Sequence, residues 1–174
     1  MRLIALFLLS ITSLFALKYD YVLPEKVLQE RMKKEFPIKH ETVLLTFRVS
    51  DPQLQLDGDK QRFNFTSKLQ IPNIRTGDGK MASAVISVSS RIAYSKGGNL
   101  YLRKIKVVDI KSRYISTDIK SMLYPSLDKV LNEYFKSRPI YSLEKEKGMV
   151  GAAVKSIQNV VIVKDGLKII FDLG

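Results

Sequence analysis

The apolar positions of this chain change period along its length, and the changes divide it into elements. Val27, Leu28, Met32 and Phe36 recur at helical spacing with Lys and Glu between them. That pattern predicts an amphipathic helix from Pro24 to Phe36, opened by a proline suited to a first turn and stopped by Pro37. From there the period becomes two. Val43, Leu45, Phe47 and Val49 alternate with Thr42, Leu44, Thr46 and Arg48, and Leu54 and Leu56 alternate with Gln53 and Gln55. Phe63 and Phe65 alternate with Arg62 and Asn64, and Leu69 and Ile71 continue that strand. Asp57-Gly58-Asp59, Thr76-Gly77-Asp78-Gly79 and Lys96-Gly97-Gly98-Asn99 punctuate as turns. Strands joined by short turns, each apolar on one side, predict an antiparallel meander with one face buried.

Two features bear on its shape. The run from Met81 to Tyr94 is apolar or small at its even positions. As one strand it spans about 50 Å at about 3.3 Å per residue, and a strand of that length must twist and coil. In the next strand, Leu100 to Ile110, the apolar phase slips from Leu100 and Leu102 to Ile105 and Val107. A slip of one residue predicts a β-bulge, which bends the sheet further.

Helical spacing returns after Asp118, which is expected to cap a second helix running to Lys136. Its stripe of Ile119, Met122, Leu123, Leu127, Val130, Leu131, Tyr134 and Phe135 is the widest apolar face in the chain. Pro125 lies within it and is expected to start or kink the helix. Ile140 to Leu143 reads as a short strand and Gly148 to Ile157 as a small-residue helix. Val160–Val163 and Leu167–Leu173 flank Asp165-Gly166, a strong hairpin signal. The fold class expected is α+β, one domain over residues 17–174.

The N-terminus adds a destination. One positive charge at Arg2 precedes an apolar run from Leu3 to Phe15, then Ala16 and the polar Lys18 and Asp20. This is the layout of a secretory signal peptide, residues 1–16, with a run of about 13 residues, too short for the roughly 20 that span a bilayer. Removal of that segment leaves 158 residues, enough for a sizeable core. The sequence contains no cysteine. Lipidation at cysteine, disulfides, thiol catalysis and cysteine-based zinc sites are thereby excluded. The formal net charge of +12 suggests anionic surfaces as partners, while the scattering of Lys and Arg along the chain fits equally a well-solvated basic surface. For an exported protein, anionic lipid head groups suit that charge and nucleic acid does not.

Catalytic and cofactor motifs are sparse. His40 is the sole histidine, so a Ser/His or Asp/His hydrolase would rest on that residue. There is no nucleophile elbow, phosphate loop or dinucleotide fingerprint. Asp57-Gly58-Asp59 resembles the start of a calcium loop without its later ligands. Asn64-Phe65-Thr66 fits a glycosylation sequon but lies within an expected strand. No catalytic residue, metal or cofactor is expected.

The segment Leu100-Tyr-Leu-Arg-Lys-Ile-Lys-Val-Val-Asp109, the run from Leu123-Tyr-Pro-Ser-Leu127 through Tyr134-Phe135 and Pro139 to Leu143, and the close from Ala152 to Asp172 carry a resemblance. Together they resemble the YceB-like family of periplasmic lipoproteins of unknown function, most clearly from about residue 100 to 173. The resemblance implies a fold similar to the tubular lipid-binding (TULIP) domains, in which a highly curved antiparallel sheet wraps a long helix and lipid lies between them. Family members carry a lipobox cysteine at the end of the signal; here that neighbourhood reads Leu14-Phe15-Ala16-Leu17-Lys18. The resemblance therefore implies a free periplasmic protein.

On that reading the chain sequesters a lipid or fatty-acyl ligand as a monomer, without catalysis. Leu123, Leu127, Leu131 and Phe135 on the helix, and Ile86, Val88, Ile92, Ile105 and Val107 on the sheet, are the candidate cavity residues. Lys104, Lys106, Arg113 and Lys120 are the candidates for holding an acidic head group. The same apolar residues would equally build a filled core, and a helix followed by an antiparallel meander also describes cystatin-like interaction modules.

Overall fold

A computed structural model describes residues 18–42 and 45–174. The expected export signal, residues 1–16, lies outside the described residues, as do Val43 and Leu44 of the first expected strand. In chain order the elements are β1 (Lys18–Pro24), α1 (Glu25–Glu35), β2 (Ile38–Glu41), β3 (Thr46–Asp57), β4 (Arg62–Arg75), β5 (Met81–Tyr94), β6 (Asn99–Lys111), α2 (Thr117–Lys136), β7 (Tyr141–Ser142), α3 (Met149–Ala152), β8 (Ile157–Val163) and β9 (Gly166–Asp172). The strands form two antiparallel sheets, one ordered β2-β3-β4-β5-β6-β7 and one ordered β1-β9-β8. The chain is thus α+β with antiparallel sheets dominant.

The meander follows the period-two pattern. Phe63, Phe65, Ser67, Leu69 and Ile71 of β4 are buried, as are Ala82, Ala84, Ile86, Val88 and Ser90 of β5, while the residues between them face outward. In β6 the inward set is Leu100 and Leu102, then Ile105 and Val107. The expected bulge accounts for the slip. Ser89 pairs with Lys106 but Arg91 pairs with Arg103, and Lys104 takes a left-handed φ of 52°. A second shift sits between Ser87 and Val88, and a third in β3 between Ser50 and Gln53, where Asp51 has φ 54°. Each extra residue turns its strand and adds local twist.

Both long helices form, with corrected ends. β1 precedes α1 and takes Pro24 as its last residue, an element the hydrophobic pattern did not signal. The cap of α2 is Ser116, whose hydroxyl accepts from the Ile119 N–H; Asp118 lies in the first turn. The helix neither starts nor stops at Pro125. It runs through as one element with Pro125 on its exposed side, and its four fully buried residues are Leu123, Leu127, Leu131 and Phe135. The small-residue helix expected over Gly148–Ile157 is only one turn, Met149–Ala152, then a 3-10 turn, Val154–Ser156; Ile157 already belongs to β8. The C-terminal hairpin turns at Lys164-Asp165, one residue earlier than the Asp-Gly signal suggests, because Gly166 pairs with Val163 as the first residue of β9.

Gly166 is needed for a different reason than turn geometry. It also pairs with Pro24 of β1, and a side chain there would collide with the Leu23 carbonyl. Gly166→Ala is expected to lower stability by about 1–3 kcal/mol through forced separation of β1 from β9. Gly77→Ala, at a position surrounded by open space, is the control; thermal unfolding of the two variants checks the difference.

The sheet edges are closed by side chains. Asn132 of α2 accepts from the Ile105 N–H and donates to the Ile105 carbonyl, at 3.1 and 2.7 Å. Asp128, one turn earlier, accepts from the Val107 N–H at 2.6 Å. Gln61 does the same for β8, accepting from the Ile162 N–H and donating to its carbonyl, both at 2.9 Å. Gln29 of α1 bridges the Leu54 N–H and the Pro52 carbonyl at the β3 bulge. Each amide offers one acceptor and one donor, the pair that a neighbouring strand would supply.

Candidate functional site

The apolar seam between α2 and the meander is assembled as the helical spacing requires. Leu123, Leu127, Leu131 and Phe135 recur every fourth residue, so they project from one side of α2, and all four are fully buried. Ile86, Val88, Ile105 and Val107 of the sheet are buried in the same cluster. Phe135 sits 6.3 Å from Phe36, which in turn meets Phe65 edge-on at 6.1 Å. The Tyr134 hydroxyl donates to the Glu35 carbonyl at 2.8 Å and fastens this end of α2 to the end of α1. All nine apolar candidates share one core cluster, eight as buried members and Ile92 as a half-buried residue packed against it that also lines a cleft with Gln61, Val160 and Ile162.

The seam is filled by its own side chains. A cleft of about 470 Å³ lies where α2 meets β6, lined by Leu102, Arg103, Asn132, Glu133 and Lys136. Two buried residues of the sheet are polar, Ser67 and Ser90. The Ser67 hydroxyl lies on the buried face of β4, between Phe65 and Leu69, with no hydrogen-bond partner. Ser90, its counterpart on β5, donates to the Phe63 carbonyl at 2.7 Å. Burying a hydroxyl unpaired costs about 1–3 kcal/mol, so Ser67 is a group that a polar ligand atom would satisfy. Alternation alone signals that Ser67 faces inward; its lack of a partner becomes visible only from the packing.

The head-group candidates separate. Lys104 and Lys106 alternate with Ile105 and Val107, so they lie on the outer face of the sheet, away from the seam. They line a groove of about 590 Å³ that runs across β3, β4, β5 and β6. Arg113 lines a neighbouring groove of about 640 Å³ with Lys68, Val85 and Lys111. Lys120 lies in the first turns of α2 and borders neither. The sequence places all four near strand or helix ends, but the strand pleat decides which side each serves.

His40 lies in β2 with its ring 5.1 Å from that of Phe47. Asp57 caps its own turn by accepting from the Lys60 N–H at 2.9 Å. The Tyr141 hydroxyl donates to the Glu146 carboxylate; burial first, and that carboxylate second, hold its pKa far above the usual tyrosine range. Among the described residues, no group of three His, Asp or Glu side chains gathers as a metal site, and no helix is long and apolar enough to cross a membrane.

A family described as a protein of unknown function, DUF1439, matches residues 24–166. No curated protein matches the chain.

Proposed function

The chain belongs to the DUF1439 family, the YceB-like proteins of unknown function, and we propose that it binds a lipid or fatty-acyl chain between the buried face of the meander and α2. In this reading the bulged sheet curves around the helix in the manner of a tubular lipid-binding domain. The protein acts after export to the periplasm, by sequestration and without catalysis. The observation that carries the proposal is the seam itself. An unbroken row of four leucine and phenylalanine side chains along a 20-residue helix, about 30 Å long, faces a sheet whose buried side is apolar except for two serines.

The seam is filled, so a ligand enters by displacing side chains, with the cleft between Leu102 and Asn132 as the approach. Each methylene buried contributes about 0.8 kcal/mol, so an acyl chain can offset the repacking. Ser67 supports the reading as the one unsatisfied polar group on the inner face. The closeness of that packing also favours a second reading, in which the core stays filled and the open edges of β1 and β2 recruit a partner strand.

Native mass spectrometry of protein purified from the periplasm, followed by lipid extraction, separates the two. Binding predicts a retained acyl lipid, or stoichiometric uptake of added fatty acid. Only the bare mass, before and after lipid is added, would favour the filled-core module.

A further inference from the structure

The outer face of the meander carries a second feature, and it is electrostatic. Its floor is built of short polar residues. Asn64 and Ser89 pair at its centre, flanked in the same row by Gln55 on β3 and Lys106 on β6. Short side chains leave a hollow, and five long cations stand around it: Lys60, Arg62, Arg91, Lys104 and Lys106. Asp57 is the single carboxylate in the lining, and it is engaged by the Lys60 N–H. Among the described residues, the ion pairs are Lys80–Asp78, Lys111–Asp109 and Lys168–Asp20, so none of the five groove cations is neutralised. Like charges held this close without counter-charges repel one another and are stabilised by an anion.

Two further observations give the anion a shape. The Asn64 side-chain oxygen is buried at the floor without a hydrogen-bond partner. It is an acceptor, and a hydroxyl beside the negative charge is one donor that would satisfy it. Val108 is thrust outward by the second β6 bulge and stands exposed in the groove lining. Cations, a hydroxyl acceptor and an exposed apolar side chain together match the interfacial layer of a bilayer rich in anionic, hydroxyl-bearing phospholipid.

We propose that this groove is a membrane-docking surface, which seats the head groups of an anionic phospholipid bilayer against Lys60, Arg62, Arg91, Lys104 and Lys106. The surface is on the opposite side of the sheet from the α2 seam, and its action does not depend on whether the seam takes a ligand. It would hold the protein at a membrane surface reversibly, since a cation near such a surface contributes about fivefold in partitioning, the equivalent of ~1 kcal/mol.

The test uses the whole protein and vesicle co-sedimentation at low ionic strength. One variant joins Arg91→Gln, Lys104→Gln and Lys106→Gln; a control of equal net charge joins Lys26→Gln, Lys34→Gln and Lys147→Gln, on exposed positions elsewhere. Wild type and control are expected to partition onto phosphatidylglycerol-containing vesicles and not onto phosphatidylcholine alone. The groove variant should partition about a hundredfold more weakly, as the loss of three such cations predicts. Equal weakening of variant and control would overturn the proposal in favour of a diffuse charge effect. Absence of vesicle binding, with glycerol phosphate saturating the groove in an NMR titration, would overturn it in favour of a soluble-anion site. All three proteins should stay folded, since no substituted side chain is in the core, and the groove variant should unfold no lower than wild type because three mutually repelling charges are removed.

Discussion

Phe135→Ala is expected to lower the stability of the protein by about 3–5 kcal/mol, the largest effect of any single truncation proposed here. Phe135 is fully buried at the C-terminal end of α2. Its ring contacts Phe36 from the end of α1 and meets Tyr134 edge-on at 5.1 Å. Alanine would leave a void bounded by elements that cannot all collapse into it, because α2 is fixed nearby through Tyr134 to Glu35 and through Asn132 to β6. Urea unfolding monitored by circular dichroism checks the value. Leu127→Ala, at the middle of the same row, is expected to cost somewhat less, about 2–5 kcal/mol.

The second large effect concerns a hydrogen-bonding side chain. Asn132→Leu keeps the branched shape of the side chain and improves helix propensity, but strips the Ile105 N–H and carbonyl of their partner. Leaving a part-buried donor and acceptor unpaired is expected to cost roughly 2–4 kcal/mol in all. The same change has a second consequence that a packing defect lacks. β6 ends its pairing with β7 at Asn99 and Leu100, so beyond them its free edge is covered by α2. An uncovered edge is a template for strand addition. The variant should therefore show concentration-dependent association in analytical ultracentrifugation, which Phe135→Ala at matched stability should not. Asn132→Gln, which keeps both hydrogen-bonding functions, should recover part of the loss.

Much of this architecture is legible from periodicity. The limits of β5 coincide with the alternating run from Met81 to Tyr94, and the phase slip after Leu102 marks the bulge at Lys104. The row from Leu123 to Phe135 follows from spacing alone. What periodicity conceals is long-range. β1 exists because Lys18–Pro24 pairs with β9, at the far end of the chain. The edge-closing roles of Gln29, Gln61 and Asn132 depend on backbone groups 23 to 101 residues away. Pro125 does not start α2, which begins at Thr117 and carries the proline on its exposed side.

The site divides along the same line. Residue type and spacing suffice to find the apolar seam, because burial is what both require. They do not show whether the seam is hollow, since a filled and a ligand-lined core select the same side chains. The basic groove was harder to see. Lys60, Arg62, Arg91, Lys104 and Lys106 are scattered in sequence. Only strand register and two bulges place them around one hollow, with their acidic counterparts elsewhere. Lys104 and Lys106 lie on the outer side of the sheet and not at the mouth of the seam.

The central claim is that an acyl chain occupies the space between α2 and the meander. A fatty acid with a photoactivatable diazirine on its tail, bound to the whole protein, irradiated and mapped by peptide mass spectrometry, locates the ligand directly. The account predicts saturable adducts on the α2 segment from Leu123 to Phe135 and on the inward residues of β5 and β6. Absence of saturable labelling, or adducts confined to the outer groove around Lys104 and Lys106, would contradict it.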